Sequence, residues 1–329
     1  MGSMPVLDSA PMANGGLTVF YHRDFDGMCA GAILTHILRD RGEQDVRLES
    51  VNYDQRTDWE NFSSGERFAI VDFHFHPRAE YWFDHHPTTF LSPALRESYE
   101  PSEHWAWDET SPSCPPMILD HASKHWGYEA PERFREMAHW SDIIDAARFE
   151  SVDQAVFGDD PALRLMRSLT VAPRPGWVDE LAEALVKGSL NSVARRGDVE
   201  KAHQRASKNR DRALEQFPPT VIWNRGGVVF YDASSSRIRR ERFAAFYHHP
   251  DVRYAVGVIP TRSGFHITCG ENPWNPPSDP VHVGQIMERY GGGGHRAVGG
   301  ANPPSLDAAR DAGLEVAEEL VAHLAQTQG

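Results

Sequence analysis

Trp82-Phe83-Asp84-His85-His86-Pro87 sets a carboxylate and two imidazoles directly after aromatic residues of strand type. Asp and His together suit Mg²⁺, Mn²⁺, Fe²⁺ or Zn²⁺. Further groups of the same chemistry recur along the chain: His22-Arg23-Asp24-Phe25-Asp26-Gly27, the isolated Asp72 of Ala69-Ile70-Val71-Asp72-Phe73, and the pair Asp142 and Asp145. In an extended segment, residues two apart face the same way, so His22, Asp24 and Asp26 can line one pocket. Gly27 lets the chain turn closely into a following helix, whose N-terminus favours anions. A lone His-x-Asp-x-Asp is as readily a solvated loop. Beside the other carboxylates and imidazoles, a shared metal site is the better reading. Far downstream, Gly291-Gly292-Gly293-Gly294-His295-Arg296 permits close backbone approach and N–H groups aimed at a phosphate, with two basic side chains alongside. No Gly-Lys-Ser/Thr follows, which excludes a Walker A loop.

The elements that position these residues are legible as alternating strands and helices. Strands are expected at 17–21, 47–51, 68–72 and 81–84, and helices at 28–38, 117–126 and 130–144. Such alternation predicts an α/β fold with a largely parallel sheet flanked by helices, whose ligands lie outside the carboxyl ends of the strands. Segment 98–116, rich in Trp, Pro, Ser and acidic residues, reads as a long surface loop leading to a helix near Ser113. Residues 177–217 read as a helical connector ended by Pro218-Pro219. Beyond it, strands at 220–223, 227–231, 254–259 and 265–268 and helices at 281–290 and 306–324 predict a smaller α/β domain. The expected organisation is a tail over 1–16, a metal-binding catalytic domain over 17–176, the connector over 177–217 and a substrate-binding domain over 218–329. Met1-Gly2-Ser3-Met4 reads as an expression scar, and the tail as poorly ordered.

Composition narrows the function. With 33 basic against 47 acidic residues the net charge is −14, which speaks against a protein that tracks long DNA or RNA. It leaves room for a short anionic substrate. No apolar run is long enough for a membrane span. Cys29, Cys114 and Cys269 form no paired motif, so they read as buried apolar residues of a cytoplasmic protein. His74 and His76 read as surface imidazoles of a loop after Asp72. Trp105, Trp107 and Trp126 read as core or lid. Arg237, Arg239, Arg240 and Arg242 form a basic cluster, either a solvated face or an anion contact.

Taken together, these motifs resemble those of the DHH phosphoesterases over nearly the whole chain. His22 to Gly27 resembles the first motif, Asp72 the second, Asp84-His85-His86 the third and Asp142 to Phe149 the fourth. Gly291 to Gly300 resembles the signature of the DHH-associated C-terminal domain, as in the nanoRNase, cyclic-dinucleotide phosphodiesterase and exopolyphosphatase-related branch. The resemblance implies two divalent ions, usually Mn²⁺, with Mg²⁺, Co²⁺ or Fe²⁺ as alternatives. It implies His22 and Asp24 on one ion, Asp26, His85 and the fourth-motif Asp on the other, and Asp72 between them. It assigns Asp145 to the fourth motif by its spacing from Phe149. The usual Thr-Gly after that Asp is Ala146-Ala147 here, which keeps Asp142 as a rival. Asp84 is expected to orient the imidazoles, and His86 to face the scissile phosphate. Gly292, Gly293, Gly294, His295, Arg296 and Asn272 are expected to bind substrate. The implied activity is hydrolysis of a short oligonucleotide or small nucleotide to 5′-mononucleotides. Cyclic dinucleotides, polyphosphate and 3′-phosphoadenosine 5′-phosphate are alternative substrates, and a non-catalytic nucleotide-binding regulator is the alternative from another class. The resemblance also makes a homodimer an expectation.

Overall fold

The computed structural model describes residues 15–52, 59, 67–236, 241–261 and 264–327. Two expectations fall wholly or partly outside them: most of the tail, and Arg237, Arg239 and Arg240 of the basic cluster. Arg242 is described, and its guanidinium lies over the Phe243 ring. The chain forms two compact units, one of residues up to 146 with 169–200, the other of 147–168 with 201–329.

In the first unit, apolar runs form β1 (Leu17–His22), β2 (Val46–Val51), β3 (Arg67–Val71), β4 (Tyr81–Asp84) and β5 (Trp105–Trp107). Their sheet order is β2-β1-β3-β4-β5, every pair parallel. Both faces of such a sheet are covered, which is why its central strands are continuously apolar. α1 (Phe25–Asp40) packs on it through Gly31, where a Cβ would press on the Tyr21 ring and on Leu48. α2 (Pro93–Ser98), α3 (Cys114–Trp126) and α4 (Glu132–Asp145) follow. The segment expected to be a surface loop contains β5. Trp105 pairs with Trp82 and Trp107 with Asp84, so three residues add an edge strand within a Pro- and Ser-rich stretch that hides it. Trp105 and Trp107 pack against a buried aromatic cluster that includes Phe73, Phe75, Trp82 and Tyr99.

α5 (Val152–Phe157) and α6 (Pro161–Leu169) precede the helices of the expected connector, α7 (Trp177–Lys187), α8 (Leu190–Ala194) and α9 (Gly197–Gln216). α7 is tied to the first sheet: one oxygen of Asp179 accepts from the Tyr21 hydroxyl at 2.6 Å and from the Ser50 amide at 2.8 Å.

The second unit holds β6 (Val221–Arg225), β7 (Val228–Asp232), β8 (Tyr254–Pro260), β9 (Phe265–Glu271), β10 (Gly293–Gly294) and β11 (Val298–Ala301). Their order is β10-β11-β9-β8-β7-β6, antiparallel except for β7 with β8. Gly226 and Gly227 both have positive φ, as the tight hairpin between β6 and β7 requires. α10 (Ala244–His248), α11 (Val283–Glu288) and α12 (Leu306–Thr327) complete the unit. Its core includes Val256, Ile267, Met287, Val316 and Leu320. The first unit is parallel and the second mixed, with helices on both sheets, so the fold class is α/β as expected. Among the described residues no helix is long and apolar enough to cross a membrane.

Asp198 in the first turn of α9 accepts from the Trp177 indole at 2.8 Å and pairs with Arg196 at 2.9 Å. Hydrogen bonding to Arg196, against a smaller effect of burial, pulls its pKa from 3.8 down to about 2. A depressed carboxyl stabilises the fold above its unfolded value and loses that contribution as pH falls through the folded one. The gap in melting temperature between wild type and Asp198→Asn is therefore expected to narrow as the pH is lowered from 3.8 to about 2. A gap that stays constant over that range would sink this assignment.

Candidate metal centre

Three neighbouring strands, β1, β3 and β4, end at one edge of the parallel sheet, and the polar residues follow at once. His22 is the last residue of β1. The next amide, of Arg23, donates to Val51 O at 3.0 Å and holds the chain against β2. Asp24 then caps α1, its Oδ1 accepting from Gly27 N at 2.9 Å, and Asp26 lies buried in the first turn. A Cβ on residue 27 would collide with the His22 carbonyl oxygen and crowd Asp72 Oδ2, so only glycine lets the helix start this close to the strand. Asp72 follows β3 with φ 55, a conformation that Asp tolerates better than most residues. Its amide donates to Phe83 O at 2.9 Å. Asp84 ends β4, and His85 and His86 come next. Asp145 arrives from the last residue of α4.

These ends converge. His22 Nδ1 lies 2.9 Å from Asp24 Oδ2 and 3.7 Å from Asp72 Oδ2. His85 Nε2 lies 3.5 Å from Asp72 Oδ1, 3.6 Å from Asp26 Oδ2 and 3.7 Å from Asp145 Oδ2. His86 Nδ1 is 3.6 Å from Asp72 Oδ1 and 2.8 Å from Asp84 Oδ1. Three sets of donor atoms, His22/Asp24/Asp72, Asp26/His85/Asp145 and Asp72/His85/His86, each lie within 4.8 Å of one another.

The spacing fits a shared cation better than it fits hydrogen bonding. Atoms bound at about 2.0–2.2 Å to one ion stand roughly 3–3.6 Å apart. Among the described residues, neither oxygen of Asp72, nor Asp26 Oδ1, nor His85 Nε2 has a hydrogen-bond partner, although all are buried. His85 Nδ1 contacts Ser111 O at 3.1 Å. A carbonyl only accepts, so that nitrogen carries the hydrogen; whenever His85 is neutral, the lone pair of Nε2 therefore faces three carboxylates, as in a metal-binding imidazole.

The electrostatics point the same way. Burial, then the charges of Asp72 and Asp145, push the Asp26 carboxyl well up. Burial, then Asp24, push Asp145 up to about 6. Burial would also raise Asp72, but the nearby imidazoles of His22, His85 and His86 outweigh it and hold the carboxyl down. Burial lowers His22 and His85, yet the surrounding carboxylates carry each up to about 11. The cluster thus demands positive charge, which protons on the imidazoles or bound cations can supply.

Asp84 stands behind His86, and the His86 carbonyl accepts from the Trp107 indole at 3.0 Å. Asp142 takes no part in these sets. It accepts from Ser113 Oγ at 2.6 Å, just ahead of α3. Ala147 has φ 54, left-handed backbone at the position where the resembled motif has glycine. His74 and His76 correct an expectation, since both are buried rather than at the surface. The first contacts Thr89 O at 3.2 Å, and the second accepts from Arg78 N and packs on Phe68. The Ser111 carbonyl and the Cys114 amide, which donates to Asp26 Oδ2 at 2.9 Å, carried no sequence signal because any residue type supplies them.

In the second unit, the glycine-rich segment is partly strand. Gly293 and Gly294 pair with Gly300 and Gly299, and the amide of Gly292 donates to Met287 O at 3.0 Å. A Cβ on Gly292 or Gly294 would strike β11, so close backbone packing already requires these glycines. His295 and Arg296 are exposed at the end of the segment. Asn272 is a correction. It is buried, its amide donates to Pro250 O and Val252 O at 3.1 and 2.8 Å, and its oxygen accepts from Trp274 N. Both ends of its carboxamide are occupied by the backbone, so it shapes the loop instead of meeting a ligand.

No family model matches the chain, and no curated protein does. Solved structures do. A pGpG-specific phosphodiesterase, PggH of Vibrio cholerae, is 18% identical with a TM-score of 0.66, over 94% of this chain and 99% of that one. An exopolyphosphatase-related protein of Bacteroides fragilis is 10% identical with a TM-score of 0.51, over 94% and 93%. RecJ of Thermus thermophilus, solved with Mn²⁺, is 15% identical with a TM-score of 0.52, over 94% of this chain and 52% of RecJ. The chain has the fold of the DHH phosphoesterases. The sequence resemblance and the fold therefore agree over both units.

The geometry separates the two fourth-motif rivals. Asp145→Asn is expected to weaken Mn²⁺ binding, read by calorimetry, while Asp142→Asn leaves it nearer to wild type and lowers the melting temperature through Ser113. The opposite order of affinities would move the ligand to Asp142.

Proposed function

We propose that this protein is a metal-dependent phosphoesterase of the DHH type that hydrolyses short oligonucleotides or small nucleotides to 5′-mononucleotides. The observation that carries the proposal is Asp72: a buried carboxylate without hydrogen-bond partners among the described residues, shared by two sets of donor atoms at the edge of the sheet. In this reading His22 and Asp24 would hold one ion and Asp26, His85 and Asp145 the other, with Asp72 serving both. Mn²⁺ is the favoured ion, with Mg²⁺, Co²⁺ and Fe²⁺ as alternatives. Divalent ions held there supply Lewis acidity toward a phosphoryl oxygen and lower the pKa of water.

The chain's own residues do the rest. The Ser111 carbonyl fixes the His85 tautomer, and the Cys114 amide fixes one oxygen of Asp26. Asp84 holds His86 by Nδ1 at 2.8 Å, which orients the imidazole as a donor to the phosphate or the leaving oxygen. The second unit is the substrate-binding part, with His295 and Arg296 as its charged contacts and Gly292, Gly293 and Gly294 keeping the backbone close. A short substrate is supported by the net charge of −14, which provides no long basic track, and by the full-length likeness to a pGpG-specific phosphodiesterase. The complete ligand set argues against a regulator without catalysis.

The test is a hydrolysis panel with Mn²⁺ covering linear dinucleotides, cyclic dinucleotides, 3′-phosphoadenosine 5′-phosphate, polyphosphate and longer single strands. Linear dinucleotides are expected to be cut fastest, to mononucleotides. Asp72→Ala is expected to abolish turnover, and Asp84→Asn to cost about 10- to 100-fold, as outer partners of metal ligands typically do. Full activity of Asp72→Ala, or rates that climb with chain length, would overturn the reading.

A further inference from the structure

The donor set Asp26/His85/Asp145 is assembled from three elements, and one short segment, residues 111–114, is bonded toward each of them. The Ser111 carbonyl holds His85 by Nδ1 at 3.1 Å, and the Cys114 amide donates to Asp26 Oδ2 at 2.9 Å. Between these two, the Ser113 hydroxyl donates to Asp142 Oδ1 at 2.6 Å. Asp142 lies on α4, about one turn before Asp145, which ends that helix. The segment is also braced on itself, since Ser111 Oγ donates to Ser113 O at 2.8 Å.

The sequence explains why Ser113 turns to Asp142. Ser113 stands at the N-cap of α3, where a serine oxygen ordinarily accepts from the second or third helical amide. Here those positions are Pro115 and Pro116, which have no N–H. No cap bond forms, and the buried hydroxyl is left to donate elsewhere. Cys114 supplies the one amide of the first three helical residues, and that amide goes to Asp26.

We propose that the Ser113–Asp142 pair is a clamp that positions Asp26, His85 and Asp145 for one ion, so that Asp142 governs metal affinity without meeting the metal. The inference rests on the phosphoesterase reading above, and it assigns positioning residues to one of the two ions. The clamp ties the helix that carries Asp145 to the segment that holds the other two ligands. His22 and Asp24 are set instead by the end of β1 and the start of α1, so their ion is not governed by it.

The test is Mn²⁺ binding by calorimetry to wild type, Ser113→Ala, Asp142→Ala, the double variant and Asp142→Asn, each first shown to be folded by its melting curve. Wild type is expected to bind two ions. Ser113→Ala and Asp142→Ala should each weaken one ion by about 10-fold, as outer partners of metal ligands do, and leave the other near wild type. The double variant should be no weaker than either single one, because the two groups act as one contact. Asp142→Asn keeps an oxygen that accepts from Ser113 and should recover most of the affinity. The Mn²⁺ concentration for half-maximal hydrolysis of a linear dinucleotide should rise in step, with its KM unchanged. Wild-type affinity in both alanine variants, equal weakening of both ions, or losses that add in the double variant would overturn the clamp and leave the phosphoesterase reading standing. A wild-type protein that binds no Mn²⁺ would overturn that reading and this inference with it.

Discussion

Mutual repulsion among buried carboxylates is the constraint around which the first unit is organised. Asp24, Asp26, Asp72 and Asp145 are gathered at one edge of a sheet, with Asp26 and Asp72 almost wholly out of water. Such a cluster is unfavourable unless positive charge enters it. The imidazoles of His22, His85 and His86 are the only positive charge the chain itself offers within those sets. In their neutral form they offer lone pairs instead. The same arrangement that is costly for an apoprotein therefore becomes favourable for divalent cations, and folding energy is converted into metal affinity.

Holding these groups together falls to ordinary secondary structure. Parallel pairing of β1 with β3 and of β3 with β4 brings three strand ends side by side. Small devices then set individual side chains. Gly27 admits α1 against His22, left-handed backbone turns Asp72, and the capping oxygen of Asp24 ties the helix start to the strand end. The amide of Cys114 and the carbonyl of Ser111 reach in from the segment around the start of α3. These fixed contacts leave little freedom to the ligands, as a preorganised site requires.

The second unit shows that one residue type can answer two demands. Its clustered glycines suit close approach to a phosphate, yet Gly292, Gly294, Gly299 and Gly300 also lack side chains that would collide with their neighbours. Gly284 of α11 lies against the backbone at Gly294, and Gly300 against the ring of His266. Packing accounts for those four glycines, whereas Gly291 and Gly293 have open space where a Cβ would stand.

Much of this protein was readable from the chain alone. Alternating apolar runs and amphipathic segments determined an α/β fold with a parallel sheet, because burial on two faces leaves a continuous apolar signature. Asp and His directly after those runs determined the chemistry of the site, since ligands follow strand ends in such sheets. Tertiary structure alone set Asp142 and Asp145 apart, which share a helix three residues apart, because only packing brings one carboxylate to Ser113 and the other to His85. It alone buried His74 and His76 and occupied the carboxamide of Asn272, whose partners are main-chain groups that any residue type provides. It also made a strand of Trp105–Trp107, since three residues carry too short a pattern to announce a strand until a neighbour pairs with them.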